Sequence, residues 1–199
     1  MLTPRPYLSM SQMTLYERSP QEYAEHYLYG KKQRISRNIA LGSAMAEGLE
    51  NEEATGDPVL DLMMAKLPKF ELMDKPIHAE LKDGKEVIKI LAKPDTSKRD
   101  YTAFKEYKTS VRKWTQKMVD ESTQISFYAT TIWLLKGFIP QDIELVCVGT
   151  AYNSDGSLSP TGEMWRFPTR RSMTDIIKMT KRMRNAWAGI KALCESELL

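Results

Sequence analysis

The segment Ile143-Glu144-Leu145-Val146-Cys147-Val148-Gly149-Thr150-Ala151-Tyr152 constrains the fold more than any other part of this sequence. Its apolar and β-branched residues run on without the polar alternation of a strand that has one wet face. It therefore reads as a central β-strand, and a central strand demands neighbours on each side and cover on its faces. The flanking sequence offers both. Downstream, Asn153-Ser154-Asp155-Gly156 turns the chain into a further strand, Glu163 to Phe167, and a helix from Met173 to about Glu195 closes it. Upstream, Ile77 to Leu81 and Glu86 to Lys93 flank Lys82-Asp83-Gly84-Lys85, an Asp-Gly hairpin signal. Tyr101 to Lys108 is a third strand. Thr115 to Lys136 is a long helix with Met118, Ile125, Tyr128, Ile132 and Leu135 near one face.

The N-terminal part is helical. Ser9 or Ser11 caps a helix running to Tyr29, which Gly30 and the basic run Lys31-Lys32-Gln33-Arg34 end. A second helix spans about Ser36 to Asn51, and a third, Val59 to Leu67, is closed by Pro68. The expectation is one α/β domain over residues 1–199, helical over about 8–67, with a central mixed β-sheet flanked by helices from about residue 77 onward.

Composition enters where it excludes. With 42% hydrophobic and 28% charged residues, this is a soluble globular balance and not a disordered one. No apolar run is long enough to span a bilayer and the first residues lack the apolar core of a signal peptide, so the expected address is cytoplasmic, with no membrane partner. Cys147 and Cys194 lie in apolar settings and read as buried reduced thiols. A net charge of +3 permits nucleic-acid binding without arguing for it. His26 and His78 are the only histidines, which makes a Ser-His-Asp or Cys-His mechanism hard to assemble. The phosphate-binding Gly-x-x-x-x-Gly-Lys-Ser/Thr loop is absent, so no ATP motor is expected.

Chemistry concentrates in Ile88-Lys89-Ile90-Leu91-Ala92-Lys93-Pro94-Asp95 and Tyr101-Thr102-Ala103-Phe104-Lys105-Glu106-Tyr107-Lys108. Alternation along the second strand puts Glu106 and Lys108 on one face and Tyr107 on the other. A short return connection from the end of the first strand brings the Asp95 carboxylate beside Glu106. Two carboxylates converging beside an ammonium make a hard oxygen site suited to Mg²⁺ or Mn²⁺.

Pro94-Asp95 followed by Glu106-Tyr107-Lys108 resembles the bipartite signature of the PD-(D/E)XK nuclease superfamily, and three flanking features resemble its RecB-like branch. Gln124-Ile125-Ser126-Phe127-Tyr128, with Gln and Tyr stacked on one helical face, looks like the Gln-x-x-x-Tyr element of RecB-type nucleases. Leu8 to Tyr23 looks like the N-terminal helix pair. Ala40 to Glu50 looks like the Gly-x-x-x-His helix, with Gly42 in the place of the Gly that lets the helix approach the sheet. These elements cover about residues 8–130 in the expected order.

Two departures stand out. Ser19 occupies the position where iron–sulfur members carry a Cys, and two cysteines cannot ligate a cluster, so no Fe–S centre is expected. Ala46 replaces the metal-ligating His; Glu47 and Glu50 are both within reach as substitutes, and the sequence does not choose between them.

The resemblance implies a restriction-endonuclease-like core and an Mg²⁺- or Mn²⁺-dependent DNA nuclease, an exonuclease acting on DNA ends in phage-type recombination, repair or nucleic-acid processing. It implies metal ligation by Asp95 and Glu106, orientation of water or stabilisation of charge by Lys108, and positioning by Gln124 and Tyr128. A recombination or helicase partner would supply any unwinding; homo-oligomers and monomers both occur among relatives. The setting implied is a bacterial or phage-infected host cytoplasm. Lys93, Lys98, Arg99, Lys105, Arg112 and Lys113 flank the centre as candidate phosphate contacts, and Trp114 could stack a base. The final helix adds a basic stripe of Lys178, Lys181 and Arg182, with Arg184 offset, and Lys191. The alternative is a catalytically retired scaffold that binds nucleic acid or protein.

Overall fold

The computed structural model describes residues 3–31 and 37–197. Leu8 and Ser9 form a two-residue strand, β1, and the Ser9 hydroxyl then accepts from the Gln12 amide to cap α1 (Met10–Arg18). The helix expected to run on to Tyr29 stops here. Ser19 is extended and caps a new helix, α2 (Pro20–Tyr23), with Pro20 at its first position, and a π-helical turn follows over Ala24–Leu28. Pro20 has no amide hydrogen to continue α1, which is the physical reason for the break. The Gly30 end is as expected, at φ +67°, whereas Lys32 to Ser36 lie outside the described residues. Two further helices, α3 (Arg37–Asn51) and α4 (Pro58–Lys66), complete the N-terminal part; Asp57 caps α4 through the Val59 and Leu60 amides.

The strands are β2 (Leu72–Met73), β3 (Ile77–Asp83), β4 (Glu86–Ala92), β5 (Thr96–Ser97), β6 (Ala103–Ser110), β7 (Asp142–Tyr152) and β8 (Leu158–Thr169). The Asp-Gly hairpin forms as expected, with Asp83 paired to Glu86 and Gly84 at φ +58°. The α/β class also stands, but the strands divide between two sheets. One has three strands in the order β1-β4-β3; the other has five in the order β2-β5-β6-β7-β8. The divide falls at Lys93-Pro94-Asp95, where Pro94 cannot donate to a ladder. Hence β4 and β6, expected to be neighbours, lie in different sheets; the short β5 pairs antiparallel with β6 instead.

The run 143–152 is central, as its composition demanded: β7 pairs parallel with β6 and antiparallel with β8, and is buried from Ile143 to Thr150. The crossover from β6 to β7 is not one helix but two, α5 (Gln116–Asp120) and α6 (Thr123–Lys136), capped by Thr115 and Ser122. The break resets the helical phase. Ile125, Tyr128 and Ile132 are buried, while Met118 and Leu135, expected on the same face, are exposed. A final helix, α7 (Met173–Glu197), packs over the first sheet and α6.

The five-stranded sheet is covered on both faces. Phe104, Leu145 and Cys147 face a core shared with α6, α7 and the three-stranded sheet, and Tyr107, Val146 and Val148 face α3 and α4. Cys147 and Cys194 are free and buried. A Cβ on Gly42 would meet Thr109 Oγ1 at an ordinary 3.4 Å, so the approach of α3 to β6 does not itself require glycine there. Gly48 is the tight position, where a Cβ would lie 2.8 Å from Met64 Cε and 2.9 Å from the Glu53 carbonyl oxygen. Among the described residues, no helix is long and apolar enough to cross a membrane.

Candidate active site

The carboxyl end of β6 and the first turn of α6 meet in one cleft, because a strand–helix–strand crossover places the helix start above the end of its preceding strand. The cleft has a volume of about 480 Å³ and is walled on its other side by Gly42, Ser43, Ala46 and Leu49 of α3. Asp95, Glu106, Lys108 and Gln124 all line it.

The contacts are short and directional. The Tyr107 amide donates to Asp95 Oδ2 at 2.5 Å, which fixes the residue before β5 against β6. Lys108 Nζ donates to Glu106 Oε1 at 2.5 Å, and Gln124 Nε2 donates to the same oxygen at 2.5 Å. Gln124 Nε2 also lies 2.8 Å from the Tyr128 hydroxyl oxygen, so the Gln–Tyr pair acts as one unit on the α6 face. Tyr107 turns the opposite way and donates its hydroxyl to the Pro68 carbonyl, as strand alternation requires.

Glu106 Oε2 is buried and has no hydrogen-bond partner. A buried carboxylate oxygen left unpaired costs about 1–3 kcal/mol or more, so it calls for a partner from outside the chain, such as water or an ion. The electrostatics agree. Burial pushes Asp95 well above the usual carboxylate range, and the Glu106 charge pushes it further, against the opposing Tyr107 amide. Burial likewise raises Glu106, although Lys108, Asp95 and Gln124 all favour its charged form. Burial alone would lower Lys108, but the Glu106 and Asp95 charges outweigh it and hold the ammonium protonated. Tyr128 is raised by burial and by the Glu106 charge.

Other anticipated residues are distributed unevenly. Glu47 and Glu50 are both exposed on α3; Glu50 lies within electrostatic reach of Lys93, whereas Ala46 itself lines the cleft. Lys93 is exposed and paired with Asp74, close enough to feel Asp95. Arg99, Arg112 and Lys113 are exposed; Lys113 lies over the Trp165 ring at 5.7 Å, and Trp114 is half-buried against the core. Lys98 is half-buried with its ammonium 5.7 Å from the Phe70 ring. Lys105 requires correction. It is 5% exposed and donates to Glu144 at 2.7 Å, so it is spent inside the protein and cannot reach a phosphate. The basic stripe of α7 is likewise reduced: Arg182 pairs with Glu17, Arg184 with Asp83 and Lys191 with Glu86.

Arg171 escaped the sequence reading. Buried beneath the α5–α6 junction, it donates to the Val119 carbonyl at 2.9 Å, to Ser126 Oγ at 2.8 Å and to Thr169 Oγ1 at 2.8 Å. It thereby fixes the turn that carries Gln124. A larger cavity of about 670 Å³ lies beside the β3–β4 hairpin, lined by His78, Glu80, Lys82 and Lys89, but the cross-strand partners Glu80 and Lys89 leave no converging acidic pair there.

No family model and no curated protein matches the sequence. Among solved structures, the chain is similar to a candidate exonuclease from Eubacterium rectale, with 11% identity over 96% of this chain and 82% of that one, at a TM-score of 0.58. It is also similar to the protein SSO0001, with 16% identity over 90% of this chain and 75% of that one, at a TM-score of 0.46. The first likeness shows the fold. This chain has the mixed α/β architecture of a nuclease-like protein.

Proposed function

We propose that this chain is a divalent-metal-dependent DNA nuclease of the PD-(D/E)XK superfamily, in its RecB-like branch, and that it removes nucleotides from DNA ends. One observation carries the reading: Asp95, Glu106, Lys108 and Gln124 line a single cleft, and one oxygen of Glu106 is buried and unpartnered. The likeness in fold to a candidate exonuclease supports it.

The donor set fits a hard cation. Two crowded carboxylates, both raised toward protonation, would be relieved by a divalent ion, and Glu106 Oε2 has no hydrogen bond to give up. Asp95 and Glu106 would hold the ion, with Glu50 or Glu47 as the outer acidic group on α3. When bound, Mg²⁺ or Mn²⁺ lowers the pKa of water and polarises a phosphoryl oxygen. The chain's own residues do the rest. Lys108, kept cationic, stabilises charge building on the phosphate. Gln124 holds Glu106 in one rotamer, and Tyr128 holds Gln124. Leu49 and Met45 of α3 give the far wall an apolar surface.

End-labelled single- and double-stranded DNA incubated with Mg²⁺ or Mn²⁺ tests the proposal; shortening from an end that EDTA stops is expected, and intact DNA in every condition ends it. A second reading, a scaffold that binds without cutting, is favoured by Ala46 in the cleft and by the lack, among the described residues, of three or more grouped His, Cys, Asp or Glu. Calorimetric titration with Mn²⁺ separates the two, since heat of binding lost in Glu106→Gln supports the nuclease and no heat in the wild type supports the scaffold.

A further inference from the structure

A cavity of about 270 Å³ lies one side-chain contact away from the catalytic cleft and is lined by Arg5, Tyr7, Ser9, Ser11, Lys93 and Tyr128. Tyr128 is the party wall. It lines this cavity, and its hydroxyl contacts Gln124, which lines the catalytic cleft. Lys93 stands on the same boundary, lining this cavity and within electrostatic reach of Asp95.

The lining is chemically specific. Arg5 is exposed, donates to the Tyr7 hydroxyl at 2.9 Å, and lies 5.3 Å from the Tyr27 ring; among the described residues no carboxylate pairs with it. This contrasts with Lys93 and with Arg182, Arg184 and Lys191 of α7, each of which has an acidic partner. A guanidinium held between aromatic rings and left without an anion is preorganised for a phosphate. Ser9 and Ser11 add hydroxyls 3.1 Å apart, and the first turn of α1 beside them has no acidic residue to repel one. Tyr7, half-buried, supplies aromatic surface, which rewards an unstacked base.

We propose that this cavity holds the nucleotide adjoining the scissile phosphate of a single DNA strand, with its phosphate on Arg5 and its base against Tyr7. The inference rests on the nuclease reading above and deepens it by naming the strand state. A duplex keeps its bases stacked and cannot present one to a cavity of this size, so single-stranded ends are the ligand selected.

The test measures binding without cleavage. A short fluorescein-labelled oligothymidylate, and a blunt duplex of equal length, are titrated in EDTA at several salt concentrations with wild type, Arg5→Gln, Tyr7→Ala and the exposed hairpin-turn control Lys85→Gln. Arg5→Gln is expected to weaken single-strand binding about tenfold and to reduce the slope of log affinity against log salt by about one. Tyr7→Ala is expected to weaken it about tenfold with no change of slope, and Lys85→Gln to match wild type. Wild-type affinity and slope in Arg5→Gln would overturn the proposal, as would equal losses on single strand and duplex. The two readings fail separately: if wild type never cleaves but Arg5→Gln still loses strand binding, the nuclease falls and the subsite stands. If wild type cleaves and Arg5→Gln binds unchanged, only the subsite falls.

Discussion

Two buried glutamates on neighbouring strands, one residue apart in register, are treated in opposite ways. Glu144 on β7 receives Lys105 at 2.7 Å and a two-pronged Arg166 at 2.7 and 2.9 Å, so both its oxygens are satisfied. Burial would raise it, but these donors more than offset that and hold it below the usual range. Glu106 on β6 receives both its donors on one oxygen; the other has none, and the group is held above its usual range. A charge that is satisfied internally is architecture. A charge left half-satisfied in a cleft is the candidate for holding a ligand.

The sharpest way to break this contrast is to remove each acid. Asp95→Ala and Glu106→Ala are expected to lower metal-dependent cleavage on the order of 10³-fold, the several kcal/mol that an ion supplies, while circular dichroism shows the fold retained. Wild-type cleavage rates in either would erase the distinction. Glu144→Ala should do the reverse: it strands the buried Lys105 ammonium and costs about 3 kcal/mol of stability by urea unfolding, with residual cleavage by the folded fraction. Acid sharpens the same point. Because Glu144 is lower in the folded than in the unfolded chain, its contribution is complete above the usual carboxylate range and is lost as pH falls below that range and through the depressed folded value. Glu144→Gln is therefore expected to flatten the loss of melting temperature between about pH 5 and pH 3. Mn²⁺ at about a hundredfold over its Kd should stabilise wild type by about 2.7 kcal/mol, stabilise Glu144→Gln equally and leave Glu106→Gln unmoved in thermal melts. The smallest effect is reserved for positioning: Gln124→Ala is expected to slow cleavage about tenfold, one hydrogen bond to a charged group, in a single-turnover assay.

What was legible in the sequence was whatever local pattern decides. The central place of the run 143–152 follows from its unbroken apolar composition, the hairpin from its Asp-Gly turn, and the shared face of Glu106 and Lys108 from side-chain alternation. The two-residue strands β2 and β5 were illegible, because tertiary pairing and not periodicity makes them. The division of the long helix had a readable signal in Asp120-Glu121-Ser122-Thr123, a cluster of cap-forming residues. Lys105 had one too. Lys105 and Glu144 are opposite charges on neighbouring buried strands, and burial demands that such charges partner each other. Arg171 carried no pattern at all; its role depends on three segments meeting beneath one guanidinium.

The anchor of Asp95 is a main-chain amide, that of Tyr107. Every amino acid except proline brings that donor to the same place, so mutation at 107 can exchange the phenol without unfastening the acid. The spacing between the two acids is thus guarded by the polymer itself, and a lineage could rewrite nearly all its surrounding letters while keeping the grip.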